Sequence, residues 1–549
     1  QKPKNPKTQK MNKFILNSIF LLFIINGYSQ QKNNDSAFWS STLEYKFVPS
    51  IADQLKDGTF IYADKNLEMK EIYDKRSKSN KVIIGKGLPN GTDPLVNNKN
   101  EKTYLTKQTR EPSLVFETLT DQSNGCPSDP TGAIGIDYYI AAWNPAFRLY
   151  DRSGDPVIPA ANISTLLGSN SGDPIAFYDA EADRYVITAM AQGFLQLAIS
   201  QTGDPINDGW HTYSIQTPGT SGLPDYPKYS IWSDGYYVSV NANANDFYVL
   251  ERDKIINGDQ SASIQGSTVP GMATGNFASP FFFSVSGDNL PNDGDATMVY
   301  FQDDAWGGVS QDHLKLWTVD IDWNNSNSST VSTSQQINVT SFTSVFDGGS
   351  FQNLTLPTGQ NIDAVQGAVM NLAQYRKFPN YNSAIFNFVV NTTGSNSNEL
   401  AGIRWYELRQ DNQGDLWTVF QEGTYTAPDA RHAFMGSMIM DSQGNIAMGY
   451  SSMSSSDNIS SNYTGRYAND PLGQMTIEEQ RIATSSTSNQ VCSAGRYADY
   501  GHISVDPTND KTLWFNTEYF SPNMRDVVGV FQIAADFAND IGIVGINSP

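Results

Sequence analysis

Along most of the chain apolar and polar residues alternate over short runs, and Gly, Asn, Asp or Pro interrupt each run. Alternation with a period of two, bounded by turn formers, predicts half-buried β-strands joined into hairpins. One pattern returns repeatedly: a polar entry, a short apolar strand, an Asp-containing turn, then an aromatic strand. Its fullest copy is GRYADYGHISVDPTNDKTLWFNTEYF from Gly495. Others are DPTGAIGIDYYIAAWN from Asp129, DPIAFYDAEADRYVITAMA from Asp173, DYPKYSIWSDGYYVSVN from Asp225 and AFMGSMIMDSQGNIAMGYSS from Ala433. A lone hairpin cannot bury its apolar face, so the recurrence predicts four-stranded sheets set radially about an axis, an all-β fold of the β-propeller type. Seven copies can be placed, with inner strands near Ala133 to Trp143, Ile175 to Ala191, Tyr229 to Asn241, Phe281 to Gln302, Ala368 to Val390, Phe434 to Ser451 and His502 to Phe520. The uneven spacing also accommodates six or eight blades.

The pattern divides the chain into four spans. Residues 1–29 hold upstream sequence and MNKFILNSIFLLFIINGYSQ from Met11, where a lysine precedes an apolar core from Phe14 to Ile25. This reads as a secretory signal peptide, too short for the roughly 20 apolar residues of a membrane span. Residues 30–125 form an irregular leader that packs partly on the propeller through strand-like EPSLVFETL, Glu111 to Leu119. Between Asp64 and Glu111 it carries 11 Lys/Arg against 7 Asp/Glu, a local positive excess in an acidic protein. Residues 126–535 form the propeller, and 536–549 open a further β-sandwich module, so more β-modules are expected C-terminal to this chain. The expected protein is exported, secreted or on the outer cell surface, and does not span the membrane.

Composition sharpens this reading. A formal net charge of −21 and a pI of about 4.5 repel a phosphate backbone, which excludes nucleic-acid partners. The cysteines number two, Cys126 and Cys492, beside the first and last copies of the repeat, which are neighbours in a ring. Export permits a disulfide between them.

Two sets of residues are candidates for chemistry. Asp129, Asp173, Asp225 and Asp499 each precede an inner strand, and strand starts gather at one mouth of a propeller channel. Such a ring of oxygen ligands suits a structural calcium, although no cofactor is required. Each aspartate equally suits a turn, accepting N–H bonds from its own backbone. The second set is Arg431, His432, Arg466, Arg496 and Glu518, on blades six and seven. Arginines from adjacent blades facing one cleft would clamp a carboxylate or sugar acid. Structural ion pairs, Arg496 with Asp499 or Glu518, explain them as well. The four histidines lack metal-ligand spacing and a G-x-S-x-G partner.

DNQGDLW, Asp411 to Trp417, resembles the Asp box of sialidase-type propellers, a structural turn, with Asn412, Gly414 and Trp417 in its key positions. The ordered runs from PSDPTGAIGIDYYIAAWNPAFRLYD through RHAFMGSMIMDSQGNIAMGYS and YTGRYANDPLG to GRYADYGHISVDPTNDKTLWFNTEYF resemble a family of large secreted propeller proteins of Bacteroidetes. That resemblance implies type IX secretion and following β-modules, and no assigned reaction. The expected function is therefore non-enzymatic binding or adhesion toward an extracellular glycan or protein. The alternative is a glycan-directed hydrolase using Arg431, Arg466, Arg496, Asp499 and Glu518 of the last two blades.

Overall fold

The computed structural model describes residues 32–33, 37–63, 70–71, 91–96, 111–119 and 125–534, apart from 169–171, 192, 218–223, 242–245, 274–278, 347–352, 396, 489–491 and 493–494. The signal peptide and the strand expected in 536–549 lie outside the described residues.

Seven sheets stand around a central axis, and the chain is a seven-bladed β-propeller. Their inner strands are Thr131–Ile134, Gly172–Asp179, Asp225–Ile231, Phe281–Phe282, Gln374–Lys377, His432–Met440 and His502–Val505. Each pairs antiparallel with the next strand outward in its blade. Blade five has an additional innermost strand, Ser284–Val285, which leaves blade four and runs parallel to Gln374–Lys377.

Blades face one another, so their inner strands are covered on both sides and need not alternate. Asp225–Ile231, DYPKYSI, is buried at all seven positions. The outermost strand of blade six, Ile477–Thr484, is mostly exposed or half-buried instead, with Ile477 and Ile482 buried, because one side meets water. Aromatic pairs fill the wedges between blades: Tyr139 with Trp514, Tyr237 with Phe282, Phe301 with Phe388, and Tyr463 with Phe531. Between blades six and seven Gly449 lets Phe515 close in, since a Cβ there would lie 2.4 Å from the ring.

The first blade packs on the last, closing the ring. Three features hold the seam. Leu114–Glu117 of the leader lies along Met524–Gln532 as the fourth strand of blade seven. Cys126 and Cys492 form a disulfide with Cα atoms 5.9 Å apart, joining segments 366 residues apart in sequence. Asn516 donates from Nδ2 to the Thr131 carbonyl at 3.0 Å.

The earlier leader runs around the circumference, against the order of the blades. Lys32–Asn33 pairs with Thr330–Ser332 of blade four, Trp39–Thr42 with Ser263–Ser267 of blade three, and Glu44–Val48 with Trp210–Gln216 of blade two. Tyr62 then bridges to Ala161 of blade one. Backbone pairing with exposed outer strands anchors these short segments, an internal β-augmentation. Further along, Asp93 reaches the buried Arg404 of blade five.

Candidate binding site in the central channel

The inner strands begin with an unusual backbone. Asp129, Asp173, Tyr226, Met435 and Asp499 all have φ between 47° and 57°. Asp tolerates this left-handed region because its short side chain bonds locally, and the larger residues hold it only because their surroundings fix it. In blades two, three and six the strand register shifts at this entry.

All four predicted aspartates come to this end of the channel and are buried. Asn144 ties two entries together, donating from Nδ2 to Asp129 at 2.7 Å while its Oδ1 accepts the Asp173 N–H at 3.0 Å. Asn241 bonds Asp225 in the same manner at 3.3 Å. Burial, reinforced by the nearby carboxylates of Asp173 and Asp499, pushes the Asp129 carboxyl well above its ordinary range. The cluster shares its space with two cations. Arg496 pairs with Asp499, and Lys228 lies over the faces of Tyr226 and Tyr500, 3.9 and 4.8 Å from their centroids.

Those two tyrosines belong to blades three and seven, which are not neighbours, and stack across the axis with centroids 4.7 Å apart. Tyr226 donates to the Asp499 carbonyl at 2.7 Å. The channel is thus plugged at the level of the strand starts.

Among the described residues the trio of carboxylates with oxygens within 4.8 Å of one another is Asp303, Asp304 and Asp312. Asp303 accepts the Ala305 and Ser344 N–H groups, each at 2.7 Å, and Asp312 those of Asp304 and Phe342, each at 2.7 Å. The Asp303 and Asp312 oxygens thereby tie the 303–312 turn to the distant 342–344 segment.

The arginine set does not converge. Arg431 stands at the start of the blade-six inner strand, pairs with Glu479 and bonds Ser452. Arg466 ends Ser460–Arg466, opposite Ile446 and hence at the other end of the same blade, where it donates to the carbonyls of Asp470 at 2.6 Å and Gln474 at 3.2 Å. His432 accepts the Ala401 N–H at 3.1 Å, and burial lowers its pKa to about 4.

Glu518 sits in the seam between last and first blades. Its Oε2 accepts the Ser128 N–H at 2.8 Å and lies 2.7 Å from Ser128 Oγ, which also lies 2.7 Å from Asp526. A hydroxyl has one proton, so satisfying both contacts requires one of the two carboxyls to be protonated. Burial accordingly raises Glu518 to about 7 and holds Asp526 well above the usual range.

The open space lies at the opposite end, where the inner strands finish. A cavity of about 230 Å³ is walled by Ile134, Ile175, Phe177, Ile231, Val285 and Leu372 among others, with contributions from six of the seven blades. Its rim carries Ile136, 42 % exposed, and the exposed Asp288. His502 lines it too. The His502 Nδ1 accepts the Gly132 N–H at 3.2 Å, so its ring proton is on Nε2, and burial lowers the pKa to about 4. Asn371, 2 % exposed, also lines the cavity, and its Nδ2 has no hydrogen-bond partner among the described residues. No local pattern flags Asn371 in the sequence. The strand ends follow from the repeat, since each is the far end of an Asp-led strand.

The Asp-box-like turn joins Ala401–Gln410 to Thr418–Tyr425, the third and fourth antiparallel strands of blade five. Asp415 accepts the Asn412 N–H at 2.9 Å and Trp417 is buried, so the turn is a structural clasp.

No family model and no curated protein matches the chain. Among solved structures it is similar to the BP39L lectin of Burkholderia pseudomallei, with 11% identity, 74% of this chain and 97% of that one covered, and a TM-score of 0.37. It is also similar to a subtype N10 neuraminidase-like protein (A/little yellow-shouldered bat/Guatemala), at 9% identity, 65% and 99% coverage and a TM-score of 0.31. The GH93 alpha-L-arabinofuranosidase of Fusarium graminearum gives 8% identity, 78% and 97% coverage and a TM-score of 0.32. TM-scores below 0.5 give these likenesses no functional weight.

Proposed function

We propose that this propeller is a non-enzymatic binding module, exported to the medium or cell surface, that receives a glycan or protein ligand through the strand-end mouth of its channel. The observation that carries this reading is the cavity between Ile134, Ile231 and Val285, mostly apolar but with Asn371, Tyr229 and His502 among its lining, the composition of a ligand pocket. The signal-like N-terminus and the Cys126–Cys492 bond favour the export.

The residues of the hydrolase alternative argue against turnover. Arg431, Arg466, Arg496, Asp499 and Glu518 are buried and engaged with one another or with neighbouring chain, and none of them lines the cavity. The strand-start aspartates, partly neutralised by Arg496 and Lys228 among them, act in this reading as a plug, and calcium is not required.

A glycan array and a panel of chromogenic glycosides test the proposal on the wild type and on Ile231→Trp, which fills the cavity. Binding without turnover, lost in the variant, is expected. Turnover abolished by Glu518→Gln would establish the hydrolase instead.

A further inference from the structure

Resting on that reading, we infer that the strand-end cavity recognises the N-acetyl group of an N-acetylated sugar, its methyl against the aliphatic wall and its carbonyl oxygen toward Asn371.

The walls set the first requirement. Ile134, Ile175, Ile231, Val285 and Leu372 offer no hydrogen bonds from their side chains, so a sugar face of hydroxyls would be desolvated there without compensation. The inserted group must be largely apolar. Asn371 sets the second. Its amide Nδ2 is buried without a partner among the described residues, and a buried donor left unmade is costly, so a guest bearing an acceptor oxygen is favoured over a purely aliphatic one.

Charge decides which acceptor. The donors that line the cavity, among them Asn371 Nδ2, the Tyr229 hydroxyl and the neutral His502 with its proton on Nε2, are uncharged. Asp288 is exposed at the rim of a chain with net charge −21. A carboxylate would meet repulsion at the entrance and no ionised partner on the wall, whereas an amide carbonyl meets a matched neutral donor. An acetamido substituent combines a methyl and a neutral carbonyl in one small group, and the sugar ring remains at the rim, where water and Asp288 satisfy its hydroxyls.

Calorimetry on the full chain with N-acetylglucosamine, glucosamine and glucose tests this. N-acetylglucosamine should bind at least tenfold more tightly than either of the others, and Asn371→Ala should weaken it about tenfold while leaving glucose unchanged. Asn371→Asp, which keeps the shape and replaces the donor by an acceptor, gives the same loss and serves if the alanine variant does not fold. Equal affinity for the three sugars, no binding of any, or insensitivity to both Asn371 substitutions overturns the inference. Ile231→Trp separates the two levels. If it abolishes binding of a non-acetylated array ligand, the channel reading stands while the acetyl assignment falls. If array binding survives it, the channel reading falls as well.

Discussion

Arg404 and Asp93 meet with neither side chain reaching solvent, Nη2 lying 2.9 Å from Oδ1 and 3.0 Å from Oδ2. Arg404 spends its remaining donors on the Thr340 and Ser341 carbonyls, the Thr424 hydroxyl and Tyr406. Asp93 also accepts from Thr424 Oγ1 at 2.9 Å. This contact fastens a leader residue into blade five. Asp93→Ala leaves a buried guanidinium without its carboxylate and should cost about 3–5 kcal/mol, whereas Asp93→Leu with Arg404→Met should recover much of that loss. Urea denaturation of the single and double variants checks the coupling.

The Glu518 carboxyl should remove stability as pH rises from about 4.5 to 7, while the buried His432 and His502, held at about 4, add stability with rising pH up to about 6.5. Glu518 is held to about 7 in the folded protein, against 4.5 for the free side chain. Between those values the folded state keeps a proton that the unfolded state has released, so each pH increment favours unfolding, and above 7 the slope from this group vanishes. The full span corresponds to about 3 kcal/mol. Asp526, also raised, acts in the same direction. Glu518→Gln should remove this falling component, so that stability measured by denaturation rises more steeply from pH 5 to 6.5 than in the wild type and falls less from 6.5 to 7, and a profile identical to the wild type would refute the role of Glu518.

Cys126→Ser with Cys492→Ser should lower stability by up to about 4–5 kcal/mol, the chain-entropy value for a loop of this length. Reductant should move the wild type toward the variant and leave the variant itself unmoved.

Removing one ring of the axial stack should loosen the centre of the molecule. Tyr500→Ala deletes a buried aromatic against Tyr226 and one face of the Lys228 site, with an expected cost of about 3–5 kcal/mol. Tyr226→Phe keeps the stack and loses only the bond to the Asp499 carbonyl, about 1 kcal/mol. Thermal melts of both variants distinguish packing from hydrogen bonding.

What the sequence made legible was whatever a blade must carry in its own copy. The Asp-led entries recur because each inner strand starts from a left-handed turn that aspartate accommodates. The alternation and the cysteines flanking the terminal copies likewise predicted the ring and its disulfide. Features made by segments meeting from far apart were not legible. Nothing near Tyr226 announces Tyr500, so the sequence did not reveal that the Asp-led mouth is sealed and that open space lies at the other end. The arginines illustrate the same limit: Arg431 and Arg466 flank one blade in sequence, yet strand direction carries them to opposite ends. The leader strands before residue 49 escaped notice because segments such as Trp39–Thr42 are short and mostly exposed, held chiefly by backbone pairing with Trp39 against Tyr248, and need no alternation.

The backward path of the leader has a consequence for biogenesis. Lys32–Asn33 emerges from the ribosome long before its mate Thr330–Ser332 exists, and at 5–20 residues per second it waits on the order of 15 to 60 s. During that interval Lys32–Asn33 has no edge to join, while Met524–Gln532 of blade seven finds Leu114–Glu117 already there. The leader from Lys32 to Tyr62 therefore finds its mates in reverse order, Tyr62 on blade one first and Lys32–Asn33 on blade four last: a belt fastened from its far end while the wheel is still being built.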